Sequence, residues 1–327
     1  MSVFLASDEQ IDLVESFTRP LEEIFPVARL HKNQETDTAN WVQAAEFGWF
    51  GISLPEELGG VGLSMVEEAL LFAKFGAHLA TPGFMAATLA AKTAALSGNA
   101  GLAASILAGE TQIAMGHRNA QGEILIADGA TASLVLLISP DGAEIIATES
   151  LQERRLLDET QWGTRLETTR FVGNPIAQSN DPSLPLQASL LIAAQLTGIA
   201  TATLNMAVSY SLIRQQFGVP IGSFQAIKHY CADMAMQVQA AKDTISFAAV
   251  AMAQGREDHR FLIAAALNVA IRAALFNAAK NIQIHGGMGF SAECDAHLFV
   301  KRAHVLEHLA GGLKTSRAKL QAEASIF

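Results

Sequence analysis

The segment Ala188–Ile213 carries no charged side chain, and no other part of the chain limits its possible folds as much. Its length approaches that of a membrane span, for which roughly 20 apolar residues suffice. Polar side chains interrupt it, however, at Gln195, Thr197, Thr201, Thr203, Asn205, Ser209 and Ser211. These residues favour a helix that other helices cover on most sides over a membrane span, which stays the alternative. The segment therefore predicts the central helix of a helical bundle.

The first third of the chain has the start signals of helices. Ser7 precedes Gln10 by three residues, and Ser64 precedes Glu67 by the same spacing, each ahead of an apolar run. This spacing matches the capping box, in which side chains and backbone N–H groups satisfy one another at a helix N-terminus. The pattern predicts an N-terminal helical domain over residues 1–112.

Short β-like runs replace the helical spacing after that point. They occur at 123–127, 132–139 and 143–148, and Pro140-Asp141-Gly142 predicts a hairpin turn between the last two. The runs predict a small β domain over residues 113–183.

Helical spacing then returns in the last part of the chain. One helix of roughly nine turns is predicted from Ser223 to Gly255, and another from about Arg260 to Ile282. The sequence thus predicts a mainly α fold, with a helical bundle over residues 184–327 as its third domain.

Composition argues against several functions. A formal net charge of -10 and a pI of about 5.4 do not suit a nucleic-acid partner, whose phosphates need a basic surface. Cys231 and Cys294 lie in apolar or helical context without metal-ligand spacing, which predicts buried thiols of a cytoplasmic protein and no metal site. The first ten residues lack the basic region of a secretory signal. We therefore expect a cytoplasmic chain.

Two motifs near the C-terminus carry groups suited to a nucleotide-like anion. They are Arg214-Gln-Gln-Phe-Gly-Val-Pro-Ile-Gly-Ser-Phe-Gln225 and Gln283-Ile-His-Gly-Gly-Met-Gly-Phe290. The arginine can pair with two pyrophosphate oxygens, Phe217 offers a flat face to a purine, and the glutamines offer amides. Gly286 and Gly287 let a ligand approach the backbone closely. On the residues alone, the alternative that they only cap, bridge or end helices is equally well supported.

These motifs resemble, in the same order, the two C-terminal signatures of the acyl-CoA dehydrogenase family. Ala232-Asp233-Met234 follows the first and Lys301-Arg302-Ala303 the second, as in the family. Trp41, Gly48 and the run Pro55–Gly60 resemble the family's N-terminal domain. The resemblance implies an acyl-CoA dehydrogenase-like fold with an N-terminal helical domain, a reduced middle β domain and a C-terminal four-helix bundle.

The resemblance also implies a cofactor and its site. In the family, FAD is shared by two subunits, one holding the flavin ring and its neighbour the ADP half. The residues of this chain that match the ADP-half positions are Arg214, Gln216, Phe217, Gln225, Gln283, Gly286 and Gly287. If the helix before Arg214 continues, Phe217 lies one turn further on and faces the same ligand.

The chain departs from the family at both positions of the catalytic glutamate. That carboxylate takes the α-proton of an acyl-CoA while the flavin takes the hydride from the β-carbon. A gapless match places Ala310 at the commoner position and Ala188 at the other. Neither alanine can remove a proton, so no catalytic residue is predicted. Ser189 also stands where many members have an arginine, which alters the wall of the acyl pocket.

The β unit departs from the family as well. Members usually carry Thr-Glu-Pro, Gly-Ser-Asp and Trp-Ile-Thr/Ser segments against the flavin ring. Here the run Gln112–Arg118 leads almost directly into Glu123-Ile-Leu-Ile. We expect these ring-side segments to be missing.

The remaining polar residues near these motifs are weaker candidates. Glu307 and His308 precede Ala310, and we expect Glu307 to be a solvated surface charge rather than a base. His285 suits a flavin contact and a packing role equally. His117 and Arg118 are interpreted as solvated remnants of the shortened β unit.

The resemblance therefore implies that the ADP half of a flavin site is retained while the ring half, the base and the acyl pocket are lost. We expect a non-catalytic subunit of a heteromeric, α2β2 acyl-CoA dehydrogenase. Its homologous partner would carry the catalytic glutamate and bind the acyl-CoA, a substrate class that in such heteromers includes steroid side-chain esters. Two alternatives stay open: an active homo-oligomer with an unusual base such as Glu307, and a flavin-free structural or binding homologue.

Overall fold

The N-terminal helices begin where the capping boxes predict. In the computed structural model, which describes residues 5–32, 40–157 and 165–324, the Gln10 N–H donates to Ser7 Oγ (3.2 Å) and the Ser64 N–H to Glu67 Oε2 (2.9 Å). Both predicted caps are thereby confirmed. The helices of this part are α1 (Asp8–Thr18), α2 (Leu21–Ile24), α3 (Arg29–Lys32), α4 (Trp41–Glu46), α5 (Met65–Ala77), α6 (Pro82–Leu96) and α7 (Ala100–Leu107).

A seven-stranded sheet follows the N-terminal helices. Its strands are β1 (Ile113–Arg118), β2 (Ile124–Ala127), β3 (Leu134–Ser139), β4 (Gly142–Ala147), β5 (Leu151–Leu156), β6 (Leu166–Phe171) and β7 (Ala177–Ser179). They lie in the order β5-β6-β2-β1-β3-β4-β7, and every pair of neighbours is antiparallel except β1 and β3. The predicted hairpin between β3 and β4 is confirmed, because Ser139 pairs with Gly142.

The C-terminal part is built around one long helix. Its elements are α8 (Ser183–Ile213), β8 (Gln215–Gln216), β9 (Val219–Pro220), α9 (Gln225–Ala253), α10 (His259–His285), α11 (Ala296–Leu309) and α12 (Gly312–Ala324). Helix α8 packs against α5, α9 and α10, which confirms the predicted central helix. A Cβ atom at Gly198 would lie 1.9 Å from the Ala73 carbonyl oxygen, so α5 and α8 cross too closely for any other residue. The predicted fold class is confirmed: the chain is mostly helical with a small central sheet.

Two helices are long and apolar enough to meet the length and composition criteria for a membrane span. They are Ser183–Ile213 and His259–Phe290, and 67% and 61% of their most apolar windows are buried inside the fold. Burial of this extent is typical of core helices in a bundle.

The two cysteines are less buried than predicted. Cys231 and Cys294 are free thiols that are half-buried. Cys231 lies on a partly exposed face of α9, and Cys294 lies in the loop before α11. Burial still raises the pKa of the Cys231 thiol.

Candidate functional site

The first motif forms a hairpin rather than a continued helix. Helix α8 ends at Ile213, and Gln215–Gln216 pairs with Val219–Pro220. The two residues of the turn, Phe217 and Gly218, have φ angles of 53° and 81°. Positive φ at both central residues is what a tight two-residue hairpin turn requires. The expectation that Phe217 lies one helical turn beyond Arg214 is therefore wrong.

The hairpin presents its side chains to solvent. The Phe217 ring is 93% exposed and meets the Phe224 ring edge-on at 6.3 Å between centroids. Arg214, Gln216 and Gln225 are also exposed. Within the described residues, no side chain forms an ion pair or hydrogen bond with the Arg214 guanidinium. A planar cation, two amides and an aromatic face are thus available to a ligand.

The second motif ends helix α10 with an open stretch of backbone. Gly286 has φ 60° and ψ -139°, a backbone conformation that residues other than glycine rarely adopt. Nothing lies within 4 Å of the place where a Cβ atom would stand on Gly286 or Gly287. The backbone of both glycines is therefore open to close approach by a ligand, and the Gln283 side chain beside them is exposed.

The two motifs lie at the same end of the bundle. The Tyr210 ring, on the last turn of α8, stacks on the His285 ring at 4.1 Å between centroids. Ile221, after the hairpin, packs in one apolar cluster with Ile284 of α10. The His285 Nδ1–H donates to the Asn281 carbonyl oxygen, and the ring is buried. His285 therefore has a packing role, and the exposed groups of the two motifs include all seven predicted residues.

These groups fit the ADP half of FAD in chemical type. A guanidinium suits a pyrophosphate, an exposed aromatic ring suits a purine, and open glycine backbone admits close contact. The packing of the hairpin region against the end of α10 brings these groups to the same end of the bundle. Among the described residues, no group of three or more His, Cys, Asp or Glu side chains could hold a metal ion.

The two alanines that the sequence match assigns to the glutamate positions are both buried. Ala310 follows α11, and Ala188 lies in the second turn of α8. The carboxylate of Glu307 accepts from the Leu313 N–H (3.2 Å) and from His304 Nδ1 (3.3 Å). It is half-buried and caps the start of α12, so the prediction of a solvated surface charge is wrong. His308 donates through Nδ1 to the His304 carbonyl oxygen.

Two polar residues that the sequence did not single out, Lys92 and Glu68, form a network beside Ala188. Next to Ala188, Gln187 accepts from the Lys92 ammonium at 2.7 Å, and Lys92 also donates to Glu68 (2.6 Å) and Ser53 Oγ (2.7 Å). Glu68 and Lys92 are both buried. Their partners are dozens of residues away in the chain, so local sequence carried no signal for this network.

The residues interpreted as solvated remnants of the β unit have definite partners. Arg118 forms an ion pair with Glu144 at 2.7 Å. His117 is half-buried, and its Cε1 lies 3.6 Å from the place of a Cβ atom on Gly311, one residue after Ala310. Burial, with Lys319 and His308 nearby, lowers the pKa of His117. The interpretation is wrong for His117, because the sheet folds β1 back against the loop between α11 and α12, whereas Arg118 is exposed as expected although it is paired.

Comparisons with known proteins identify the family. Residues 7–109 match the model for the acyl-CoA dehydrogenase N-terminal domain, and residues 187–323 match the model for the C-terminal domain. The acyl-CoA dehydrogenase IpdE2 of Mycobacterium tuberculosis is 30% identical over 321 residues, which cover 90% of either protein. The acyl-CoA dehydrogenase FadE34 of the same organism is 31% identical over 82% of this chain, which spans only 39% of FadE34.

Solved structures have the same fold. The ChsE4-ChsE5 complex from Mycobacterium tuberculosis matches with a TM-score of 0.80 at 21% identity, over 98% of either chain. The steroid ACAD Tcur3481-Tcur3483 matches with a TM-score of 0.79 at 20% identity, over 97% of either chain. Taken with the family models and the full-length relative, these findings show that the chain belongs to the acyl-CoA dehydrogenase family, whose cofactor is FAD.

Proposed function

We propose that this chain is a non-catalytic subunit of a heteromeric, α2β2 acyl-CoA dehydrogenase. The observation that carries the proposal is that the sequence has alanine, Ala310 and Ala188, at both positions that match the family's glutamate. An α-proton cannot be removed by a methyl group, and Glu307, the acidic candidate three residues before Ala310, is engaged in capping α12.

The proposed role of the chain is to hold the ADP half of the cofactor. FAD, when bound, supplies the hydride acceptor for the oxidation of the acyl chain. Arg214 would pair with the pyrophosphate, Phe217 would stack on the adenine, and Gly286 and Gly287 would admit the ligand to the backbone. The exposed amides of Gln216, Gln225 and Gln283 would complete the polar contacts.

Other contacts support the view that the flavin ring belongs to a partner. The His117 ring lies over the loop that follows Ala310, and the Lys92 network lies beside Ala188. Side chains of this chain thus stand next to both positions from which a base would act. We propose that a homologous subunit with the catalytic glutamate binds the ring and the acyl-CoA, in the cytoplasm.

The structural relatives support this assembly and a substrate class. One of them is the ChsE4-ChsE5 complex and another is a steroid ACAD. By this likeness we propose a bulky acyl-CoA, such as a steroid side-chain ester, as the substrate of the whole complex.

The test is to express the chain alone and together with a complete acyl-CoA dehydrogenase encoded beside it. Flavin absorbance and turnover of several acyl-CoAs with a dye acceptor are measured for each. We expect the chain alone to lack activity, because loss of a general base alone lowers a rate by about 10²- to 10⁴-fold. We expect the complex to contain FAD and to turn over, and Ala310→Glu not to restore activity to the chain alone.

Two results would contradict the proposal. Ordinary turnover by the chain alone, lost in Glu307→Gln, would indicate an active homo-oligomer with an unusual base. Absence of flavin from a stable complex would indicate a flavin-free structural or binding homologue.

A further inference from the structure

A cavity of about 640 Å³ lies between helices α1, α5, α8 and α9, and the proposed flavin role does not use it. Its walls include Val14 of α1, Ala69 of α5, Ala202 of α8, and Ile245 and Ala249 of α9. The volume falls within the range of about 300 to 1,000 Å³ that small-molecule sites occupy. The cavity is therefore large enough for a ligand and is lined mainly by hydrocarbon.

The cavity is separate from both ends of the family's active site. On α8 its lining runs from Thr197 to Asn205. Ala188 precedes Thr197 by nine residues, and Arg214 follows Asn205 by nine (197 − 188 and 214 − 205). At about 1.5 Å per residue, each end of the lining lies about 13 Å along the helix from those positions. A ligand here would touch neither the position of a base nor the arginine.

Most polar groups of the lining already have partners. Lys74 pairs with Glu15 at 3.4 Å, and the Gln239 amide donates to Asp243 at 2.7 Å. The Thr201 hydroxyl donates to the Thr197 carbonyl oxygen at 2.8 Å. These groups do not need a ligand to satisfy them.

The charges of the lining disfavour an anion. Three carboxylates, of Glu15, Glu22 and Asp243, face two ammonium groups, of Lys74 and Lys242. The Asn205 amide is exposed at the rim and forms no hydrogen bond with another described residue. The polar groups left for a ligand are the Asn205 amide, the Lys242 ammonium and the exposed Glu22 carboxylate, beside a larger apolar wall.

From this lining we propose that the cavity binds a neutral, hydrocarbon-rich small molecule that carries one or two oxygen acceptors. The apolar part would lie against Ala69, Ala202 and Ala249, and an oxygen would accept from Asn205 or Lys242 at the rim. Burial of the apolar surface would supply most of the affinity.

The test uses the full chain and the neutral fluorescent probe N-phenyl-1-naphthylamine. We expect saturable binding that Ala202→Phe weakens by about tenfold or more, because the ring fills the apolar space. Ala240→Phe adds the same ring on the exposed face of α9, outside the lining, and should bind as the wild type does. Ala73→Leu adds bulk to the part of the lining on α5 and serves if Ala202→Phe does not fold.

Charge provides the second arm of the test. We expect Lys242→Gln to change binding of the neutral probe by less than about twofold, and the anionic probe 1-anilinonaphthalene-8-sulfonate to bind more weakly than the neutral one. Binding that is not saturable, or that folded Ala202→Phe and Ala73→Leu leave unchanged, would overturn the site. Tighter binding of the anionic probe that Lys242→Gln removes would overturn the neutral-ligand assignment.

Discussion

His117 links the sheet to the loop that follows Ala310, and it gives this contact a pH dependence. Burial, then Lys319 and His308, lower its pKa from the ordinary value of 6.5. As the pH falls below 6.5, His117 therefore binds a proton more readily in the unfolded chain than in the folded chain. The stability due to neutral His117 is therefore complete above about pH 6.5 and is lost as the pH falls below it.

We accordingly expect wild type to lose more unfolding free energy between pH 7.5 and pH 5.5 than His117→Phe, which keeps a ring but cannot titrate. Urea denaturation at both pH values measures the difference. His229→Phe, at an exposed position, should behave as the wild type does. An equal loss in wild type and His117→Phe would show that His117 does not titrate differently on folding.

Lys92 is a second residue whose role depends on burial. Its ammonium is the counter-ion of buried Glu68, at 2.6 Å, beside the start of α8. Lys92→Met leaves that carboxylate buried without its partner and should lower the unfolding free energy by about 3–5 kcal/mol. Lys74→Met removes a lysine whose pair with Glu15 is exposed, and should cost about 1 kcal/mol or less. Equal losses in urea denaturation would contradict the buried-pair account.

The sequence indicated the residues that stand in short motifs. It did not indicate those whose role depends on partners far away in the chain. Arg214 and Gly286 stand in short motifs, so a single stretch of sequence indicates them. Lys92 and Gln187 are 95 positions apart, and only the packing of α6 on α8 brings them together. Glu307 looked solvated because its acceptor role depends on the tight loop before α12.

Among the elements, the hairpin of β8 and β9 differs most from expectation. Its Phe217 has a positive φ and is almost fully exposed, a combination that favours a ligand or partner over a folding role. Phe217→Gly removes a strain of about 1–2 kcal/mol from the left-handed backbone of the folded state. It also gives the unfolded chain more conformational entropy, which costs about 0.5–1 kcal/mol of stability. We expect the isolated chain to keep its stability within about 1 kcal/mol.

The same substitution should lower the flavin content of the complex, because the aromatic face is gone. Phe217→Tyr keeps that face and should retain flavin. Thermal melts of the isolated chain and flavin absorbance of the purified complex measure the two effects. Wild-type flavin content in Phe217→Gly would show that the ring does not contact the cofactor.

Elements with strong periodicity or a turn signal were predictable, and those without were not. The helices α9 and α10 and the hairpin of β3 and β4 lie within a few residues of their predicted bounds. Strands β5 and β6 were missed because their sequences, LQERRL and LETTRF, are polar, and β5 is an exposed edge strand. The uncharged segment ends at Ile213, as α8 does, but the hairpin that follows was not predicted, because its Phe217-Gly218 turn depends on positive φ at a phenylalanine.

For the whole molecule, the proposal divides the family's chemistry between two chains. In that proposal this chain contributes an exposed guanidinium, an aromatic ring and open backbone at one end of its bundle, and a partner would contribute the ring site, the base and the acyl pocket. Because a ligand stabilises only the state that binds it, the cofactor should stabilise the assembled complex and not the isolated chain.

The most direct test of this division is the FAD content of the complex when Arg214 is changed. Wild-type and variant chains are co-purified with the partner, and flavin per complex and flavin-dependent melting shifts are compared. Loss of a charge-assisted contact of about 1.5–3 kcal/mol should weaken FAD binding roughly ten- to hundredfold in Arg214→Ala. Arg214→Lys keeps the charge without the planar fork and should be intermediate, and Arg19→Ala, at an exposed arginine of the N-terminal domain, should match wild type. We predict lower occupancy and a smaller melting shift for Arg214→Ala with the isolated chain's fold unchanged; equal occupancy and equal shifts would contradict the proposed half-site.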